Sequence, residues 1–128
     1  MKIVVLIIGI LIGLLLFSFL KNQFPGKKFL RHVVLFKFKD GTRPEKTKEL
    51  EDAFRGLPAK IRQIKKFEWG LNSSPENLSQ GFTHCFFLTF NTDTDRDSYL
   101  VHPAHKEFGK LLKPILDKVL VLDYWANK

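Results

Sequence analysis

Arg31-His32-Val33-Val34-Leu35-Phe36-Lys37-Phe38-Lys39 sorts its side chains into two sets with a period of two, the signature of a β-strand. His32, Val34, Phe36 and Phe38 fall on one face, and Val33, Leu35, Lys37 and Lys39 on the other. Both faces carry apolar groups, so the strand needs cover on both sides. Asp40-Gly41-Thr42 closes it as a turn. Pro44 suits a first helical turn. From Glu45 to Arg55 the apolar spacing then changes to that of a helix, with Leu50, Ala53, Phe54 and Leu57 inward. Gly56-Leu57-Pro58 breaks this helix, and Ala59 to Ile64 reads as a shorter turn.

The pattern continues outward from there. Lys65, Phe67, Trp69 and Leu71 alternate with Lys66, Glu68 and Gly70 as a second strand, followed by a polar loop over 72–81. Phe82 to Phe90 is the third and most apolar strand, with Phe82, His84, Phe86, Leu88 and Phe90 on one face. Asp93 to Asp97 is an acidic helix start, favourable to the macrodipole. Pro103 opens a further helix running through Leu116, and Val119 to Trp125 is a last strand, apolar but for Asp123 and the Tyr124 hydroxyl. The order β-α-β-β-α-β predicts an α+β fold, a ferredoxin-like plait with its helices on one face of the sheet. The strand order expected of a plait, 4-1-3-2, sets the first and third strands side by side. Taken as parallel, they bring His32 and His84 to the same edge. The face without helices needs an apolar partner, and a second copy is the economical one. A homodimer whose sheets enclose a barrel is the expectation.

Residues 1–28 are expected to be an appendage to a domain spanning 29–128. Ile3 to Leu20 carries no charge and is flanked by Lys2 and Lys21. Eighteen helical residues span about 27 Å, enough for the apolar part of a bilayer. The stretch is longer than the apolar region of a signal peptide, and no small-residue pair follows it. It reads as a single-pass membrane anchor, with export after signal cleavage as the alternative. The four lysines at 2, 21, 27 and 28 belong to this part, so +8 overall becomes +4 for the rest, with 17 basic and 13 acidic residues. Those charges form no stripe, which argues against nucleic acid as a partner.

The four histidines, His32, His84, His102 and His105, are the candidate chemistry. Their side chain titrates nearest neutral pH and serves proton transfer or metal binding. His105 lies six residues beyond Tyr99 across Pro103, so whether base and phenol meet depends on the break. His102 and His105, with Asp97 or Glu107, could face a metal. No His-Glu-x-x-His motif or cysteine pair supports this, and no metal or cofactor is expected. The single Cys85 has no internal disulfide partner and reads as a small core filler.

The run from Arg31 to Asp40, Trp69-Gly70, Gly81-Phe82-Thr83-His84, Tyr99, His102-Pro103-Ala104-His105 and Asp123-Tyr124 together resemble the marks of stress-responsive dimeric α/β-barrel (Dabb) domains. The likeness covers roughly residues 30 to 126 and leaves out the anchor. It implies a homodimer with a small pocket between each sheet and its helices. The family includes a plant polyketide cyclase that works by aldol condensation. Carried over by motif, its general base corresponds to His105, and the Tyr99 hydroxyl positions or polarises the substrate. His32, His84 and Trp69 match further positions of the pocket. A pocket tyrosine of that enzyme is replaced here by Phe54, which removes a polar handle. The implied protein is a membrane-tethered stress-response domain binding a small apolar or aromatic ligand. The alternative is a cofactor-free enzyme, of cyclase or small-aromatic monooxygenase type, using His105 as base.

Overall fold

The structure, a computed structural model, describes residue 26 and residues 28–126. The stretch 3–20 expected as an anchor lies outside the described residues. Among those described, no helix is long and apolar enough to cross a membrane.

In chain order the elements are β1 (Leu30–Phe38), α1 (Pro44–Arg55), α2 (Leu57–Lys60), β2 (Lys66–Leu71), β3 (His84–Phe90), α3 (Asp93–Val101), α4 (Pro103–Leu112) and β4 (Leu116–Trp125). Each helical arm of the plait is split in two, the first at Gly56 and the second at His102. At His102 the backbone leaves the helical region (φ −63°, ψ 137°) because the residue before a proline is pushed out of it. The last helix is shorter than expected. Pro114 supplies no donor, the helix ends at Leu112, and β4 begins at Leu116 rather than Val119. β3 starts at His84, not Phe82, because Gly81 turns the chain at φ +83°.

The sheet order is β2-β3-β1-β4, which is the expected order, but every neighbouring pair is antiparallel. This corrects the parallel pairing of the first and third strands. The helical arm after β1 returns β2 parallel to it, and the β2–β3 connection reverses direction, so β3 between them runs against both. The consequence bears on the site. Phe36 lies opposite His84, and His32 opposite Leu88. The two histidines share a face but stand four positions apart, about 13 Å at strand rise.

The core forms where the helices cover that face. Leu30, Val34 and Phe36 of β1 and Phe86, Leu88 and Phe90 of β3 pack on Leu50, Phe54, Tyr99 and Phe108. The rings of Phe54 and Phe86 stack at 4.0 Å and 3°, and Phe108 meets Phe54 edge-on at 4.7 Å. Such pairs add roughly 1 kcal/mol each to area burial. On the opposite face Val33, Leu35 and Phe87 are only half-buried, while Leu120 and Leu122 of β4 are 39% and 54% exposed.

Candidate functional site

The backbone break at His102 makes the site. His102 caps α4, its Nδ1 accepting the Ala104 N–H at 3.1 Å, and so sets the first turn that carries His105. The bend folds His105 back over the end of α3. Its ring centroid lies 4.4 Å from that of buried Tyr99. His105 Nδ1 is 3.1 Å from the carbonyl oxygen of Leu100. A carbonyl only accepts, so Nδ1 carries the hydrogen and the lone pair of the neutral ring sits on Nε2. Burial lowers the His105 pKa. The Leu100 bond opposes this, and the charges of His32 and His102 add to the lowering. The ring is therefore a neutral base at neutral pH. Burial pushes the Tyr99 hydroxyl well up, which keeps it a protonated donor.

Both residues line a cavity of about 260 Å³ between the sheet and the helices. His32 and Asp123 add polar groups to it, and Val34, Phe36, Phe54, Phe108, Val119 and Val121 give it an apolar body. The His32 ring meets Tyr99 edge-on at 5.7 Å. Its Nδ1 is 2.8 Å from Asp123 Oδ1, and the second carboxylate oxygen accepts from Arg96 Nη1 at 3.1 Å. This arrangement suits a small, mostly apolar molecule with a polar end set against two imidazoles and a phenol.

His32, Phe54, Tyr99 and His105 are thus brought together, and His84 and Trp69 are not. His84 lies at the other end of β3. Its Nε2 pairs with Glu51 Oε1 at 2.9 Å and its Nδ1 with Thr83 Oγ1 at 2.8 Å. Phe38 packs edge-on against its ring at 4.9 Å, and Trp69 stacks on Phe86 at 5.6 Å. The antiparallel register takes His84 to the far end of the sheet, and Trp69 stands on β2, the edge strand opposite β4, whose Val119, Val121 and Asp123 line the cavity. Cys85 is a half-buried residue on the helix-free face, in a second hollow of about 400 Å³ with Leu35 and Leu120. Burial and then Glu68 push its thiol pKa up, so it is not activated. The groups weighed for a metal are engaged elsewhere: His102 caps α4, Asp97 binds Arg96, and Glu107 binds Lys110. Among the described residues no three histidine, cysteine, aspartate or glutamate side chains gather to hold an ion.

No local pattern in the sequence marks Arg96, Glu51, the Leu100 carbonyl or the pairing of Asp123 as parts of a site. Asp123 alone left a signal, as the one charge in an otherwise apolar strand.

Fold and cavity define an α+β ferredoxin-like domain with an imidazole–phenol pair between its sheet and helices. The chain belongs to the stress-responsive A/B barrel domain family, whose model matches residues 30–126. It is 46% identical to the stress-response A/B barrel domain-containing protein HS1 of Arabidopsis thaliana over 95 residues, 74% of this chain and 87% of that one. It is 29% identical to olivetolic acid cyclase of Cannabis sativa over 99 residues, 77% of this chain and 98% of the cyclase. Among solved structures, hydroxynitrile lyase from Passiflora edulis superposes with a TM-score of 0.74 at 26% identity, covering 80% of this chain and 96% of the lyase. A Bacteroides fragilis protein of unknown function, described as dimeric and ferredoxin-like, superposes with a TM-score of 0.64 at 30% identity. That match covers 77% of this chain and 96% of the other.

Proposed function

We propose that this is a membrane-tethered, homodimeric stress-response domain whose cavity performs acid–base chemistry on a small, largely apolar molecule. His105 Nε2 is the general base and Tyr99 the hydrogen-bond donor. The observation that carries this reading is the Nδ1–H of His105 held by the Leu100 carbonyl on the cavity wall. The bond fixes the tautomer and leaves one basic nitrogen beside a protonated phenol. Proton removal from a carbon beside a carbonyl, or from a cyanohydrin hydroxyl as its C–CN bond breaks, the carbonyl forms and cyanide leaves, uses a base and a hydrogen-bond donor of this kind. That two similar proteins are by name a cyclase and a lyase supports this reaction class. The helix-free apolar face and the dimeric neighbours support the homodimer, and the uncharged stretch 3–20 supports the tether.

The test is turnover of linear polyketide thioesters and aromatic cyanohydrins by the protein and by His105→Ala. A positioned base contributes 10²–10⁴-fold, so the variant is expected to lose about that factor while still binding the ligand. Unchanged turnover in the variant overturns the base. Binding with no turnover by the parent protein leaves a ligand-binding domain. Membranes washed with alkaline carbonate should retain the chain, and its release would overturn the tether.

A further inference from the structure

His32 lines the same cavity as His105 and is 4% exposed, yet proton transfer by His105 and Tyr99 leaves it without a task. Its surroundings are more specific than a core histidine needs. The charged and titratable groups facing it are Asp123 from β4, Tyr99 from α3 and His105 from α4, with Arg96 of α3 behind Asp123. Arg96 is itself held at two points. Its Nε donates to Asp97 Oδ1 at 2.7 Å and its Nη1 to Asp123 Oδ2 at 3.1 Å. One guanidinium thus bridges two carboxylates, and the inner one carries His32 on its other oxygen at 2.8 Å. The fork has a fixed geometry, which a single lysine charge does not reproduce.

The geometry points to Arg96 as a positioning residue that acts through Asp123 to hold His32 as a hydrogen-bond acceptor towards the cavity. Asp123, clamped by Arg96, accepts from Nδ1, so the hydrogen of the neutral ring stays on Nδ1 and the lone pair on Nε2. Arg96 also balances the carboxylate. Without it, the carboxylate is free to turn and the hydrogen of the ring is no longer held on Nδ1. With Arg96 in place, the cavity has two imidazoles alike in design. Each is tied through Nδ1–H to a protein oxygen, Leu100 O or Asp123 Oδ1, and each offers Nε2. Such a pair selects ligands with a hydroxyl or enol donor at each end of the polar wall and disfavours anionic groups there. The inference rests on the cavity being a ligand site, but its test needs neither substrate nor turnover.

The experiment is long-range ¹H–¹⁵N correlation of the histidine rings in the full chain and in Arg96→Gln, Arg96→Lys and Asp123→Asn, all at one pH. In the parent protein His32 should show the Nδ1–H pattern with an unprotonated Nε2. In Arg96→Gln its signals should move towards the mixed-tautomer pattern, and Arg96→Lys should restore part of the parent pattern. Asp123→Asn should abolish the pattern. His105, tied to Leu100 instead, is the internal control and should hold its own pattern in every variant. The proposal is overturned if His32 is unchanged in Arg96→Gln while Asp123→Asn alters it. It is equally overturned if His105 shifts as far as His32, which marks a general loosening of the fold. Loss of turnover in His105→Ala decides the base and leaves this result untouched, so the two proposals can fail separately.

Discussion

His105 gives its Nδ1–H to the carbonyl of Leu100 across the bend between α3 and α4, at 3.1 Å, and this bond decides which nitrogen of the ring can take a proton. Burial, the largest influence on the ring, lowers its pKa below the ordinary histidine value. A base works when unprotonated, so turnover should rise with pH through a midpoint below 6.5 and stay level at neutral pH. The sign for stability is the same. The unfolded chain binds the His105 proton more readily than the folded one, so this group destabilises the fold as pH drops below the unfolded value. A pH–rate profile with its acid limb at or above the ordinary histidine value would contradict the burial of the base.

The cap that builds the bend can be tested apart from the chemistry. His102 Nδ1 accepts the Ala104 N–H, satisfying one of the unpaired donors of α4. His102→Ala removes that acceptor and should cost about 1 kcal/mol, or roughly 4–8 °C in Tm for a domain of this size. His102→Asn should recover most of it, since asparagine caps well. A role in catalysis predicts the opposite pattern, with Tm unchanged and turnover lost in both variants.

How far the fold could be read from the chain follows from the range of the forces involved. The alternation in Arg31 to Lys39 and the helical spacing around Leu50 and Phe54 are local, and the structure keeps them. The bend at His102 is local as well, because Pro103 dictates it. Strand direction is not local. Face parity correctly puts His32 and His84 on one side of the sheet, yet only the path of the connections makes β3 antiparallel to β1 and separates them. The expected strand order already sets β4 beside β1, but the register that puts Asp123 opposite His32, 91 positions away, is not local either. Arg96 is harder still, because on the helix surface it reads as one more solvated charge.

Phe54 joins cavity and core, so its replacement should be costly for stability. It is 1% exposed, stacks on Phe86 and meets Phe36, Phe67 and Phe108. Phe54→Ala should destabilise by about 3–5 kcal/mol, measured by chemical denaturation, since the surrounding rings cannot all collapse into the space. A loss under 1 kcal/mol would mean that the cavity beside it already lets the cluster relax.

The helix-free face separates monomer from dimer through a residue whose cost depends on its surroundings. Leu120 is 39% exposed on a single chain and faces away from the helices, beside Leu35 in the β1–β4 register. If the chain stood alone, Leu120→Glu would place a charge in water and change stability by no more than about 0.5 kcal/mol. If a second copy covers the face, the same glutamate is buried without a partner on both chains, and the interface should not survive it. Residues 29–128 are therefore expected to sediment at twice the mass of one chain, and Leu120→Glu at the mass of one, with its helix and sheet content retained. A parent protein that sediments as a stable monomer would sink the homodimer. It would also leave the apolar face of β4 in need of a different partner.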